Sequence, residues 1–249
     1  METHAHLDMI KREVKDVVQD ARQAGVTKII TIGIDLESFQ KNLAYAERFS
    51  NVYTAVGFHP HESKKMKEGE LFLLEKMVTH PKNVAIGEIG LDYYYKHSSP
   101  EAQSQAFQKQ IDLANKYDLP IIIHDRDAHQ ETANILTEKA QGKKVVLHCF
   151  SGNISLAKWC VEQGFYFGIG GVVTFKNALE LTRVVKEIPL NRILLETDSP
   201  FLTPHPFRGK PNEPKYIPYI AEKIAQLKGK TVEEVAQITT ENAQYFFKI

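Results

Sequence analysis

The chain is poor in cysteine. Only Cys149 and Cys160 are present, without C-x-x-C spacing, so a disulfide-built secreted framework is disfavoured and both thiols are expected as small core residues in a reducing cytoplasm. Long hydrophobic runs are missing too: none has the length of a membrane span, and no apolar stretch opens the chain as an export signal would. The chain is therefore expected to be soluble, cytoplasmic and without a membrane partner. Charge of one sign is absent, because 31 basic and 31 acidic residues cancel. No global cationic field exists to hold a long stretch of nucleic acid, and a polynucleotide partner must be gripped at a few phosphates. G-x-G-x-x-G and the P-loop are absent as well, which removes the usual signals of a nucleotide cofactor.

What is present is a regular alternation. Short β-branched segments at 28–33, 52–58, 84–91, 120–124, 144–148, 165–169 and 192–198 follow an opening strand around His4 and His6, and each has the apolar character of a strand buried on both faces. Between them lie helical patterns. Ile10, Val14, Val17, Val18 and Ala21 recur at helical spacing and Gly25 follows as a C-terminal cap. Further helices are predicted at about 36–49, 71–80 and 217–227. Ser99-Pro100-Glu101 opens another with an N-cap, a first-turn proline and an acid at the positive end of the dipole, and Thr231 with Glu234 forms a capping box for the last. A proline-rich excursion spans 200–218. Eight strand–helix units predict a parallel α/β protein: a single (β/α)8 TIM-type barrel domain over 1–249 with an extra C-terminal helix, an open doubly wound sheet being the competing arrangement.

The polar residues at the C-terminal ends of the predicted strands are His4, His6, His59, Glu88, His124, His148 and Asp198. In a barrel that rim carries the active site. So many nitrogen and oxygen donors on one rim would desolvate or repel one another unless a cation neutralised them. Closure between the first and eighth strands groups His4 and His6 with Asp198, the fifth and sixth group His124 with His148, and Glu88 has two oxygens with which to bridge. This predicts two divalent metal ions, with Mg, Mn, Zn, Fe or Ni all compatible. Such a pair activates water and stabilises charge on a substrate oxygen, the chemistry of phosphate or acyl hydrolysis. Asp198 is the candidate proton acceptor, and Glu88 counts with it as catalytic. His59, Tyr93, Arg126 and Arg208 are candidate substrate contacts; the two arginines have the geometry to fork a phosphate, or alternatively to pair with Glu213 or Asp92. Tyr93, Tyr94 and Tyr95 are expected to be partly core and partly snorkelling, although they offer faces for a base. Lys64, Lys65 and Lys67 are expected as a solvated helix start.

These residues sit in motifs: Thr3-His4-Ala5-His6-Leu7-Asp8, Gly57-Phe58-His59-Pro60, Gly87-Glu88-Ile89-Gly90-Leu91-Asp92-Tyr93, Pro120 to Ala128 with His124 and Arg126, His148-Cys149-Phe150-Ser151-Gly152, Glu196-Thr197-Asp198-Ser199-Pro200-Phe201-Leu202, Arg208 to Pro214 and Thr240-Glu241-Asn242-Ala243. In this order, along essentially the whole chain, they resemble the TatD-type metal-dependent deoxyribonucleases of the amidohydrolase-like barrels. The resemblance implies a TIM-type barrel, hydrolysis of DNA ends of the 3′-5′ exonuclease type, single-stranded or terminal DNA as substrate, and His4, His6, Glu88, His124, His148 and Asp198 as metal ligands. One departure stands at the front. Met1-Glu2 replace the family's apolar residues and Asp, which predicts a frayed first strand with a trimmed loop. The alternative activity is that of an amidase or esterase acting on a small or nucleotide-derived substrate, although no lysine stands at a ligand position. A metal-stabilised interaction protein is the weakest reading, because no expected ligand is lost.

Overall fold

The computed structural model describes Met1–Ile249. All eight predicted strands form: β1 Glu2–Ala5, β2 Ile29–Gly33, β3 Val52–Val56, β4 Asn83–Asp92, β5 Ile121–Arg126, β6 Val145–Leu147, β7 Tyr166–Ile169 and β8 Ile193–Leu195. They lie in one sheet in chain order, and β1 returns to the end of β8 through a parallel bridge between Ala5 and Ser199. A helix follows each strand, from α1 (Val14–Gln23), α2 (Leu36–Arg48), α3 (Glu68–Val78) and α4 (Pro100–Tyr117) through α5 (His129–Lys139), α6 (Ile154–Glu162), α7 (Leu179–Glu187) and α8 (Ile217–Lys228). α9 (Val232–Phe247) is the extra C-terminal helix. The fold is a (β/α)8 TIM-type barrel. No helix is long and apolar enough to cross a membrane.

Contacts gather the chain into two units, Ile32–His148 and Met1–Thr31 with Cys149–Ile249. In the first, β4 is buried along its whole length and pairs with β5 in a register that sets Gly90 opposite His124 and Asp92 opposite Arg126. Gly90 has a φ of +140°, and a Cβ there would stand 2.0 Å from the His124 carbonyl oxygen. Glycine is what lets these strands approach between Glu88 and Asp92. Phe39 and Phe58 meet edge to face in the core at 5.5 Å. Two glutamines on α4 are fully buried and act as backbone clasps. Gln110 accepts from the Phe58 amide at 2.6 Å and donates to its carbonyl at 3.1 Å. Gln103 does the same for Asp92, at 2.7 and 3.0 Å. Strand ends that leave the ladder thus keep their polar groups paired. The expected cap of α4 is present, with Ser99 accepting from the Ala102 amide.

In the second unit β1 is fully buried and paired on both sides, so the expected fraying does not occur. The Glu2 amide donates to Lys28, the Asp198 amide to the His4 carbonyl at 2.9 Å, and the His6 amide to Ser199 at 2.8 Å. Glu2 itself is the reason the strand stays in place. One carboxyl oxygen accepts from the His4 amide at 2.9 Å and the Thr197 amide at 3.0 Å, stitching β1 to the end of β8. Burial outweighs these bonds and pushes its pKa up to about 8, so the carboxyl is largely neutral near pH 7. The loop after β1 is a short 3-10 turn over Leu7–Met9, and α1 begins at Val14 rather than at Ile10. Arg12 reaches both Asp20 and Glu213, and Lys215 pairs with the same two acids, which ties this loop to the proline-rich excursion. Asn212 fastens the excursion from within, donating to the carbonyls of Thr197 and Phe201.

The Glu2 clasp gives a direct expectation. Glu2→Ala leaves two buried amides unpaired and should cost about 2–4 kcal/mol in urea denaturation. Glu2→Gln keeps a neutral acceptor and should stay within about 1 kcal/mol of wild type. Equal losses in the two variants would refute the clasp.

Candidate metal centre

Each unit gathers a cluster of donors at the ends of its strands. In the unit Ile32–His148, the centre is Glu88 on β4, which is 3% exposed. One of its oxygens lies 2.7 Å from His124 Nδ1, 3.7 Å from His59 Nε2 and 3.8 Å from His148 Nε2. His59 was expected at the rim outside either cluster, touching substrate or bonded to a ligand. It instead joins Glu88 and His124, with ligand atoms all within 4.8 Å of one another. Its Nδ1 accepts from the His61 amide, which aims Nε2 at the carboxylate.

His124 is held from both sides. Its Nε2 lies 3.1 Å from Asp92, a fully buried acid whose same oxygen takes His61 Nε2 at 2.9 Å. The second Asp92 oxygen accepts the amides of Tyr94 and Tyr95 at 3.0 and 2.8 Å. Burial alone would raise the Asp92 pKa, but His124, the Tyr95 amide and His61 outweigh it and hold the carboxyl well below the usual range. For His124 burial favours the neutral ring, yet Asp92 and Glu88 lift it to about 9. His124 and Glu88 would be among the residues to hold a divalent cation, while Asp92 at Nε2 orients the His124 ring, the usual support of a ligating histidine.

In the unit containing both termini, His4 on β1 and His6, one residue past its end, turn their rings to the same side. Their rings meet edge to face at 5.2 Å. Asp198, at the end of β8 with a φ of +56°, brings Oδ1 to 3.4 Å from His6 Nε2 and 3.9 Å from His4 Nε2. Ligands sharing a cation at about 2.0–2.2 Å lie about 3–3.6 Å apart, so both clusters are close to the spacing a metal needs, and imidazole with carboxylate is a suitable donor set. Sequence reasoning missed Glu196. It is 1% exposed and takes the Cys149 amide at 2.6 Å, and a Cβ at Gly168 would stand 2.2 Å from its carboxylate. Its place two residues before Asp198 was the available signal, since alternate strand residues share a face. Cys160 is buried as expected, whereas Cys149 is half-buried with a φ of +44°.

The other expected substrate contacts divide. The Tyr93 hydroxyl donates to Glu131 at 2.6 Å, and burial together with that acid raises its pKa, so it is anchored rather than free. Arg126 is exposed, with its guanidinium over the rings of Tyr94 and Tyr95. Arg208 covers Phe175 at 3.9 Å and donates to the Thr203 carbonyl. Neither arginine forms the ion pair considered as the alternative, because Glu213 is taken by Arg12 and Lys215 and Asp92 by two histidines. Lys65 pairs with Asp35 and Glu62 and Lys64 donates to the His97 carbonyl, beside a cleft of about 440 Å³ whose lining also includes Phe58 and Lys67.

Comparison with known proteins accords with this chemistry. The family described as TatD related DNase matches residues 1–248. A metal-dependent hydrolase of Bacillus subtilis, YabD, is 45% identical, covering 100% of this chain and 98% of its own length. The 3′-5′ ssDNA/RNA exonuclease TatD of Salmonella typhimurium is 35% identical over 94% of this chain and 92% of its own. Among solved structures, YjjV, a TatD homolog from Escherichia coli K12, superposes with a TM-score of 0.93 at 33% identity, covering 100% of this chain and 97% of that one. The chain therefore belongs to the TatD-related DNase family of metal-dependent hydrolases.

Proposed function

We propose that residues 1–249 act as one barrel domain that removes nucleotides from the 3′ end of DNA, using two divalent cations held by His4, His6, Glu88, His124, His148 and Asp198. The observation that carries this reading is Glu88, a buried carboxylate faced by three imidazole nitrogens within 3.8 Å. Packing alone does not reward such a cluster, since buried ionisable groups cost free energy unless a counter-charge is shared among them. The C-terminal rim of a (β/α)8 barrel is where loops meet to receive a substrate. Polarity is supported by the name of the Salmonella relative, a 3′-5′ exonuclease similar along nearly the whole chain. A chain with only two cysteines suits action in a reducing cytoplasm.

Bound cations would supply an activated water and stabilise charge on the phosphate oxygens. The chain supplies the rest. Asp198 receives the proton from the attacking water, with His6 3.4 Å away to keep its carboxylate directed. Asp92 fixes the tautomer and tilt of His124. Glu88 sets its carboxylate among the imidazoles of His59, His124 and His148. Arg208, exposed, offers a planar guanidinium fork to a phosphate.

Three outcomes test the reading. Protein stripped of metal and then restored should release mononucleotides from 3′-labelled single strands, with the label lost first; cleavage confined to carboxyl esters or amides would replace the nuclease by an acyl hydrolase. Asp198→Asn should lower kcat by about 10²–10⁴-fold while the thermal transition of the apo-protein barely moves; near-wild-type kcat in metal-saturated protein would sink the proton-acceptor role. Metal at about 100 times its Kd should stabilise the fold by about 2.7 kcal/mol, so a chelator should lower Tm. Alanine at both His4 and His124 should abolish that shift.

A further inference from the structure

Large aromatic side chains usually keep their faces in the core, yet Tyr94 is 59% exposed and Tyr95 51% exposed, directly after β4. They are not loose. The turn carrying them is pinned by the Asp92 oxygen that accepts both of their amides, and the other oxygen of that carboxylate holds His124. The two rings stand nearly perpendicular, 89° apart with centroids at 4.8 Å. Arg126 lies in their corner, its guanidinium carbon 4.3 Å from the Tyr94 centroid and 4.6 Å from that of Tyr95. His97 stacks parallel to Tyr95 at 5.8 Å, so Tyr95 has a neighbour besides Arg126, and Tyr94 is the more exposed of the two rings. Arg126 has no carboxylate partner: Asp92 is engaged by His61 and His124, and Asp125 by His129. A single exposed tyrosine needs no explanation. Two of them, bracing an unpaired guanidinium two residues beyond a candidate metal ligand, do.

We infer that Tyr94, Tyr95 and Arg126 form a platform for the unpaired nucleotide next to the bond that is cut, so that the site selects single strands over paired ends. The inference rests on the phosphodiesterase reading above. An aromatic face stacks any base, and the adjacent guanidinium neutralises a phosphate, a combination suited to sequence-tolerant binding of single strands. Lys96, in the same turn, adds positive charge; Glu131 is occupied by Tyr93, and Asp127 is the opposing exposed acid. Bases at a blunt end are already stacked and paired and must be unpaired before they reach the platform.

The test is the affinity of fluorescein-labelled (dT)10 and of a blunt duplex, read by anisotropy with metal-stripped and metal-loaded protein, beside turnover of (dT)10 and bis(p-nitrophenyl) phosphate. Tyr94→Ala/Tyr95→Ala should weaken (dT)10 binding about tenfold or more and lower the ratio of kcat/KM for (dT)10 to that for the small diester. Arg126→Ala should also reduce the salt dependence of binding by about one unit of log–log slope. Tyr245→Ala, which removes a tyrosine 66% exposed on α9, should leave both readouts at wild-type values. Unchanged (dT)10 affinity in the double variant, no (dT)10 binding by the wild type with or without metal, or equal losses for single strand and duplex would overturn the platform. Platform-dependent binding without cleavage of any phosphodiester would overturn the nuclease reading and leave the platform standing; intact metal-dependent cleavage with unchanged affinity would do the reverse.

Discussion

Acids and imidazoles buried side by side are the constraint to which the strand ends answer. Glu88, Asp92, Glu196 and Glu2 are all at most 3% exposed, and each is made tolerable in a different way. Asp92 is surrounded by donors and stays ionised. Glu2 gives up its charge. Glu196 takes a backbone amide in a space that exists because residue 168 is glycine. Glu88 faces three imidazole nitrogens, and an environment that favours a shared cation is what a hydrolytic metal site requires.

The order of strands, and the donor side chains at their ends, were legible because buried parallel strands announce themselves as short apolar runs, and the residue that ends each run must sit on the rim. His4, His6 and Asp198 came together as chain order implied. What escaped reading was polarity inside apolar faces. Gln103 and Gln110 stand on a helix where amides normally meet water, and only the structure gives them backbone to hold. Glu2 looked like a terminal acid replacing a better residue; it is a rivet, and the strand expected to fray is among the best paired. His59 escaped because its direction depends on a bond to the His61 amide, a detail of one loop that no periodicity encodes.

The substrate contacts show the same limit. Tyrosines 93 to 95 are identical as letters, yet one is tied to Glu131 and two face outward. The difference arises from a single carboxylate that captures two successive amides and so sets which way the turn unrolls.

Asp92 thus has four obligations: its backbone is clasped by Gln103, one side-chain oxygen aims two histidines, and the other shapes the tyrosine turn. A residue so committed has no neutral substitutions available one at a time. Any lineage that altered it would have to change α4 and the rim loop in the same step, so the stretch from Gly87 to Gln103 should travel between relatives as an indivisible cassette, while the solvent faces of the neighbouring helices drift freely.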